Sequence, residues 1–165
     1  MAGLIATGAA LDEGMIYFDA RLSAKYPTVE MRVADVCLRA EDAVLVGVLA
    51  RALVETAARS AAAGESPTEL RVERLRAASW LAGRAGVRGD LVHPVTFNRA
   101  SADDALTALL GHLQPVLQEQ GEWDDVRGWT AEVVRRGAGA TEQRQWKADG
   151  GLTAVIDQAV AATLG

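Results

Sequence analysis

One cysteine, Cys37, is all the thiol chemistry this chain carries. It cannot build a disulfide framework or a thiolate zinc site. A reducing, cytoplasmic location is the expectation, with Cys37 read as a small buried apolar residue rather than a nucleophile. Aromatic residues are scarce, at 5%, and alanine and leucine supply much of the apolar content. That balance favours helices over a β-sandwich. Basic residues are outnumbered 17 to 22, so the positive excess that nucleic-acid phosphates require is missing. No apolar run reaches the length that spans a bilayer, and the opening residues lack the basic start of a secretory leader. Histidine occurs twice, at His93 and His112, without metal-ligand spacing. The first reads as a loop residue and the second as a helix-surface residue.

What is present points to one α+β domain over residues 1–165, long enough to bury a single core. The most informative stretch is Tyr26-Pro-Thr-Val-Glu30-Met-Arg32-Val-Ala-Asp35-Val-Cys37. Glu30 and Arg32 are two apart and leave the same side of a strand, while Val29, Met31 and Val33 leave the other. The expectation is an antiparallel ribbon of 15–21 with 28–34. Its polar face carries Glu30 and Arg32, with Tyr17, Asp19 and Arg21 from the partner strand, and its apolar face is covered by the helix that follows. On that face a carboxylate can hold Mg²⁺ through oxygen and a guanidinium can grip phosphate or a carboxylate. The same spacing also fits a plain cross-strand ion pair in solvent.

Helical periodicity fills the rest. Val44, Leu45, Val48, Leu49, Ala52 and Leu53 recur at helical spacing over 40–63, and Gly64 stops them. Ser66-Pro67-Thr68-Glu69 has the form of a capping box. It predicts a helix from there to about Ala85, with Val72, Leu75, Ala78 and Ala82 inward. Asp90 to Pro94 reads as extended. Ser101 and Asp104 repeat the capping pattern ahead of Leu106, Leu109, Leu110, Leu113 and Leu117. A helix over 122–136 carries Val126, Trp129, Val133 and Val134, and Leu152, Val155, Ile156, Ala159 and Val160 stripe the last one. Arg144 follows the glycine-rich Gly137-Ala-Gly139, which either exposes N–H groups to an anion or merely separates two helices.

Several of these blocks together resemble the carboxylate–amine ligase family related to glutamate–cysteine ligases. They are Ala10-Leu-Asp-Glu-Gly-Met-Ile-Tyr-Phe-Asp19, the strand from Tyr26 to Cys37, Glu41-Asp-Ala-Val44, Leu49-Ala-Arg-Ala-Leu-Val54, Trp80 to Arg84, Gly89-Asp-Leu-Val-His-Pro94 and Gly137-Ala-Gly-Ala-Thr-Glu-Gln-Arg144. The resemblance implies the C-terminal portion of a glutamine-synthetase-like fold, in which a short antiparallel strand pair is backed by several helices. It implies ATP and Mg²⁺ (or Mn²⁺) as cofactors, and an amino-acid substrate such as glutamate joined to an amine through an acyl phosphate. Glu30 would then be a catalytic and metal-side carboxylate, Arg32 a clamp on phosphate or substrate carboxylate, and Arg144 a nucleotide contact. The family's N-terminal strands, metal-binding acids and His-Val-His-like strand are not found here. Two expectations stand side by side. The chain is part of a ligase that works with a complementary N-terminal chain, or it is a non-catalytic remnant or binding module. Self-association is a further way to complete the sheet.

Overall fold

The computed structural model describes residues 2–8, 19–23 and 25–164. They fall into two compact units, Met1–Asp35 and Val36–Gly165. The architecture is α+β: small antiparallel strand pairs accompany several helices.

The first unit holds a short helix, α1 (Ala2–Ala6), and a ribbon of β1 (Ala20–Leu22) with β2 (Val29–Met31). Register pairs Ala20 with Met31, Arg21 with Glu30 and Leu22 with Val29. Ser23 shapes the connection: its Oγ accepts from the backbone N–H groups of Lys25 at 3.3 Å and Tyr26 at 3.2 Å. The ribbon expected over 15–21 and 28–34 is therefore present in shorter form. The part expected at 15–18, Tyr17 included, lies outside the described residues. The apolar residues of the ribbon are not buried as expected. Val29, Met31 and Val33 are 40%, 36% and 63% exposed, while Arg21 and Glu30 are half-buried. Two strands of three residues cannot make a core of their own.

The second unit is built on three helices: α2 (Ala40–Ala62), α4 (Ala102–Glu119) and α5 (Trp123–Arg136). Their apolar stripes meet in a core of Leu45, Ala52, Leu113, Val116, Leu117 and Val126, flanked by Val48, Leu49, Leu53, Leu109, Trp129 and Val133. Each fully buried leucine stabilises the packed state by roughly 1.5–3 kcal/mol. Val44, expected on the inner stripe, is 50% exposed. Gly64 follows the end of α2 with φ 75°, a left-handed conformation that glycine adopts at little steric cost. The cap expected at Ser101 forms, its Oγ accepting from the Asp104 N–H at 3.0 Å.

The capping box expected at Ser66 does not form. Residues 65–71 are not helical, and α3 (Val72–Ala85) starts after Arg71, whose ψ of 138° is extended. A cap contributes only about 1 kcal/mol, so local pattern alone does not decide the boundary. No residue of α3 is buried: Val72 and Leu75 are 55% and 49% exposed, and the more protected face is Ala78, Leu81 and Ala85. The extended piece near Asp90 becomes a hairpin, β3 (Leu91–Val92) with β4 (Arg99–Ala100). Strands this short leave no alternation to read. His93 lies in its loop, with Nδ1 accepting from the N–H groups of Val95 at 3.1 Å and Thr96 at 3.3 Å. His112 is exposed on α4, as expected. The last element, α6 (Gly139–Leu164), is broken at Gly150 and Gly151. Beyond the break, Leu152, Ile156 and Val160 are 68%, 63% and 53% exposed.

Candidate functional site

Strand alternation sets Arg21, Glu30 and Arg32 on one face of the ribbon. Cross-strand pairing then puts Arg21 directly opposite Glu30. Arg21 Nε donates to Glu30 Oε2 at 2.6 Å, and Arg32 Nη2 donates to Oε1 at 2.6 Å. The carboxylate is thus held between two guanidinium groups. The Arg21 hydrogen bond, then that of Arg32, hold the Glu30 carboxyl below the usual carboxylate range, against a smaller opposing effect of desolvation. The trio carries one net positive charge and presents planar donors, which suits an anion such as a phosphate or carboxylate. The pair Glu30 and Arg32 was visible in the sequence. That Arg21 completes it depends on register, which only the turn fixes.

A divalent cation fits less well. Each Glu30 oxygen already accepts from an arginine, and no group of three or more His, Cys, Asp or Glu able to hold a metal occurs among the described residues. These residues do not by themselves cradle Mg²⁺ or Mn²⁺, so no step is routed through a metal here.

The second unit brings together a larger ionic cluster that sequence reading missed. The start of α2, the end of α5 and the start of α6 meet there. Arg39 grips Glu142 with both terminal amines, one at 2.8 Å. Arg136 pairs with Asp42, reaches Glu142 at 3.4 Å, and donates to the Gly137 carbonyl at 3.0 Å. Arg135 and Glu132 form a neighbouring pair at 2.5 and 2.8 Å. Hydrogen bonding from Arg39 holds the Glu142 carboxyl below its ordinary value, and the charges of Arg39 and Arg136 add to that effect. Charge placement also suits the helix dipoles, with Asp42 in the first turn of α2 and Arg136 in the last turn of α5. The cluster borders an open cleft of about 1100 Å³ that also touches Cys37 and Trp129. Cys37 is only partly buried, so it is not the core residue expected. The named charges of the cluster are paired with one another, and the arrangement acts as a clamp on three helix ends. Its signal in the sequence was Glu142 inside the Gly137–Arg144 block, whose main partner, Arg39, lies 103 positions away and could not be inferred.

Arg144 is exposed on α6, roughly 200° around the helix from Glu142, and stands apart from the cluster. At the N-terminus of α6 Leu38 lies close to Gly139, where a Cβ would stand 3.0 Å from Leu38 Cδ1.

This is an α+β chain whose strand face holds a carboxylate between two arginines. Glutamate-cysteine ligase family 2 (GCS2) matches residues 2–159, and the chain belongs to that family. Among its relatives, the "Putative glutamate--cysteine ligase 2-1" of Streptomyces avermitilis is 47% identical over 166 residues, covering 100% of this chain and 46% of the relative. The "Putative glutamate--cysteine ligase 2-3" of Paenarthrobacter aurescens is 53% identical over 142 residues, 86% of this chain and 34% of the relative. The "Putative glutamate--cysteine ligase 2" of Streptomyces coelicolor is 46% identical over 164 residues, 99% of this chain and 45% of the relative. The chain thus spans less than half the length of these relatives. No solved structure matches it significantly. The fold agrees with a portion of the glutamine-synthetase-like catalytic fold expected of the family. No helix among the described residues is long and apolar enough to cross a membrane.

Proposed function

We propose that this chain is the C-terminal portion of the catalytic domain of an ATP-dependent carboxylate–amine ligase of the glutamate–cysteine ligase type. The observation that carries the reading is Glu30 held between Arg21 and Arg32, inside the segment matched by the family. In the reaction a carboxylate oxygen of a glutamate-like acid attacks the γ-phosphorus of ATP, and ADP leaves. The amine nitrogen then attacks the acyl carbon, loses its proton and expels phosphate. Both steps develop negative charge on oxygen, and fixed guanidinium groups stabilise such charge. Arg32 is the clamp on phosphate or acid. Glu30 holds both guanidinium groups in place and keeps one lone pair on each oxygen for a metal whose other ligands lie elsewhere. Arg144 belongs to the same reading as a nucleotide contact.

A complementary N-terminal chain supplies the rest of the cradle under this reading, and the chain by itself forms no product. The test supplies the N-terminal segment of the Streptomyces avermitilis relative in trans and measures ADP release with glutamate and cysteine. Arg32→Ala is expected to lower kcat/KM by more than about thirtyfold, as loss of a charged partner in a closed polar site does, with the melting temperature unchanged. Equal kcat/KM in the variant and the original would reduce the trio to a surface feature, and robust ligation by the isolated chain would overturn the need for a partner.

A further inference from the structure

We infer that the groove between α4 and α5 binds a free basic amino acid, with its α-ammonium and carboxylate at Asp124 and Arg127 and its side-chain cation at Asp103. The inference is independent of the ligase reading and uses neither the strand trio nor the clamp.

Helix geometry comes first. Only Gln120 to Glu122 join α4 to α5, so the two helices run antiparallel. Their first turns lie towards opposite ends of the pair, with Asp103 in one and Asp124 in the other. Both residues line one groove of about 510 Å³, a size usual for small-ligand sites. Leu106 and Leu110 from α4 and Val134 from α5 form its apolar walls. Gly128 lines it too, exposed, and a Cβ there would meet nothing within 4 Å.

Thr130 is the independent sign of a ligand. It lines the same groove and is 6% exposed. Its Oγ1 is buried and has no hydrogen-bond partner among the described residues. Buried hydroxyls are normally paired, so this one calls for a group to pair with. Thr130 follows Arg127 by three positions, which makes the two neighbours on the helix surface. The Arg127 guanidinium is braced over the Trp123 ring, 5.5 Å from its centroid. It stands 3.9 Å from the Asp124 carboxylate. That is too long for a hydrogen bond, so both groups keep positions for a ligand.

Charge then selects the occupant. Two carboxylates and one guanidinium leave the groove with a single net negative charge. A basic amino acid carries the complement, two cations and one carboxylate. Its carboxylate accepts from Arg127, in the paired geometry a guanidinium favours, and from the Thr130 hydroxyl. Its α-ammonium donates to Asp124. Its methylenes lie along Leu110 and Leu106, and its terminal cation meets Asp103. Arg127 and Val134 are seven positions apart, about 10 Å along the helix. An extended lysine or arginine bridges that span with a hydrogen bond at each end. A diamine offers nothing to Arg127, and a neutral amino acid offers nothing to Asp103.

Titration of the full 165-residue chain with L-lysine, followed through backbone amide resonances, tests this. Thermal melting by circular dichroism shows that each variant is folded. The amides of Gly128, Thr130 and Ala131 are expected to shift saturably. Norleucine lacks the terminal cation, cadaverine lacks the carboxylate, and Nα-acetyl-lysine amide lacks both head-group charges. Each should bind at least about tenfold more weakly than lysine. The last is lysine as it stands within a peptide, so its weakness separates a free amino acid from a protein partner. Asp103→Asn should remove lysine's advantage over norleucine. Gly128→Leu puts a side chain into the groove on a good helix former, and should abolish binding without lowering the melting temperature. Absence of a saturable shift with millimolar lysine overturns the inference, as does lysine binding that survives Gly128→Leu. Equal binding of lysine and any of the three analogues overturns it too, and so does an advantage over norleucine that persists in Asp103→Asn.

Discussion

Arg39 and Glu142 meet through two terminal guanidinium amines and two carboxylate oxygens, although 103 positions separate them in the chain. The pair joins the residue before α2 to the first turn of α6, and Arg136 at the end of α5 reaches the same carboxylate. Three helix termini therefore depend on one side chain, which is 20% exposed.

Glu142→Gln is expected to destabilise the second unit by about 1–2 kcal/mol, between the value of an exposed pair and that of a buried charged hydrogen bond. Arg39 is 37% exposed, which keeps the effect from the upper range. The pH dependence has a definite sign. Arg39 holds the folded-state carboxyl of Glu142 below its ordinary value, so the unfolded chain binds its proton first. The contribution is complete above the unfolded value of about 4.3 and is lost as pH falls through the lower folded value. Urea unfolding between pH 3 and pH 7 should show the original chain and Glu142→Gln converging at the acid end. A constant gap across the series would assign the effect to packing instead of charge.

Helical stripes around Leu45, Leu113 and Val126 were legible in the sequence because a three-helix core imposes a long, regular period. The Glu30 and Arg32 pair was legible for a similar reason: strand parity needs only two positions. The clamp at Glu142 was not, because ion pairs between distant helix ends leave no local period. The burial of Val29 and Met31 was not legible: both are exposed. Alternation shows that they share a face, but it does not show whether another element covers that face.

Two identical-looking capping signals make a controlled comparison. Ser101 caps α4, with Oγ accepting from the Asp104 N–H and donating to its carboxylate at 2.7 Å. Ser66 stands in a non-helical segment six residues before α3 begins. Ser101→Ala should cost about 1 kcal/mol, and Ser66→Ala should stay within roughly 0.5 kcal/mol of the original. Equal losses in chemical denaturation would mean that Ser66 caps a helix after all.

Glycine substitutions should split by backbone conformation. Gly137 joins α5 to α6 at φ 91° and ψ 169°, a region that side-chain-bearing residues avoid at a cost of about 1–3 kcal/mol. A Cβ there would also stand 2.8 Å from Thr141 Oγ1 and 3.0 Å from Arg88 Nε. The same residue lends its carbonyl to Arg136, so a shift of the backbone would disturb the clamp as well. Gly128 lies inside α5, exposed, and a Cβ on it would meet nothing within 4 Å. Only the unfolded chain's entropy and helix propensity respond to a change there. Gly137→Ala should therefore destabilise by at least about 2 kcal/mol, while Gly128→Ala should stabilise by about 0.5–1 kcal/mol. Urea midpoints measured side by side decide it: an unchanged midpoint for Gly137→Ala would show that the α5–α6 junction can relax freely, and the clamp would then not depend on the conformation of this one residue.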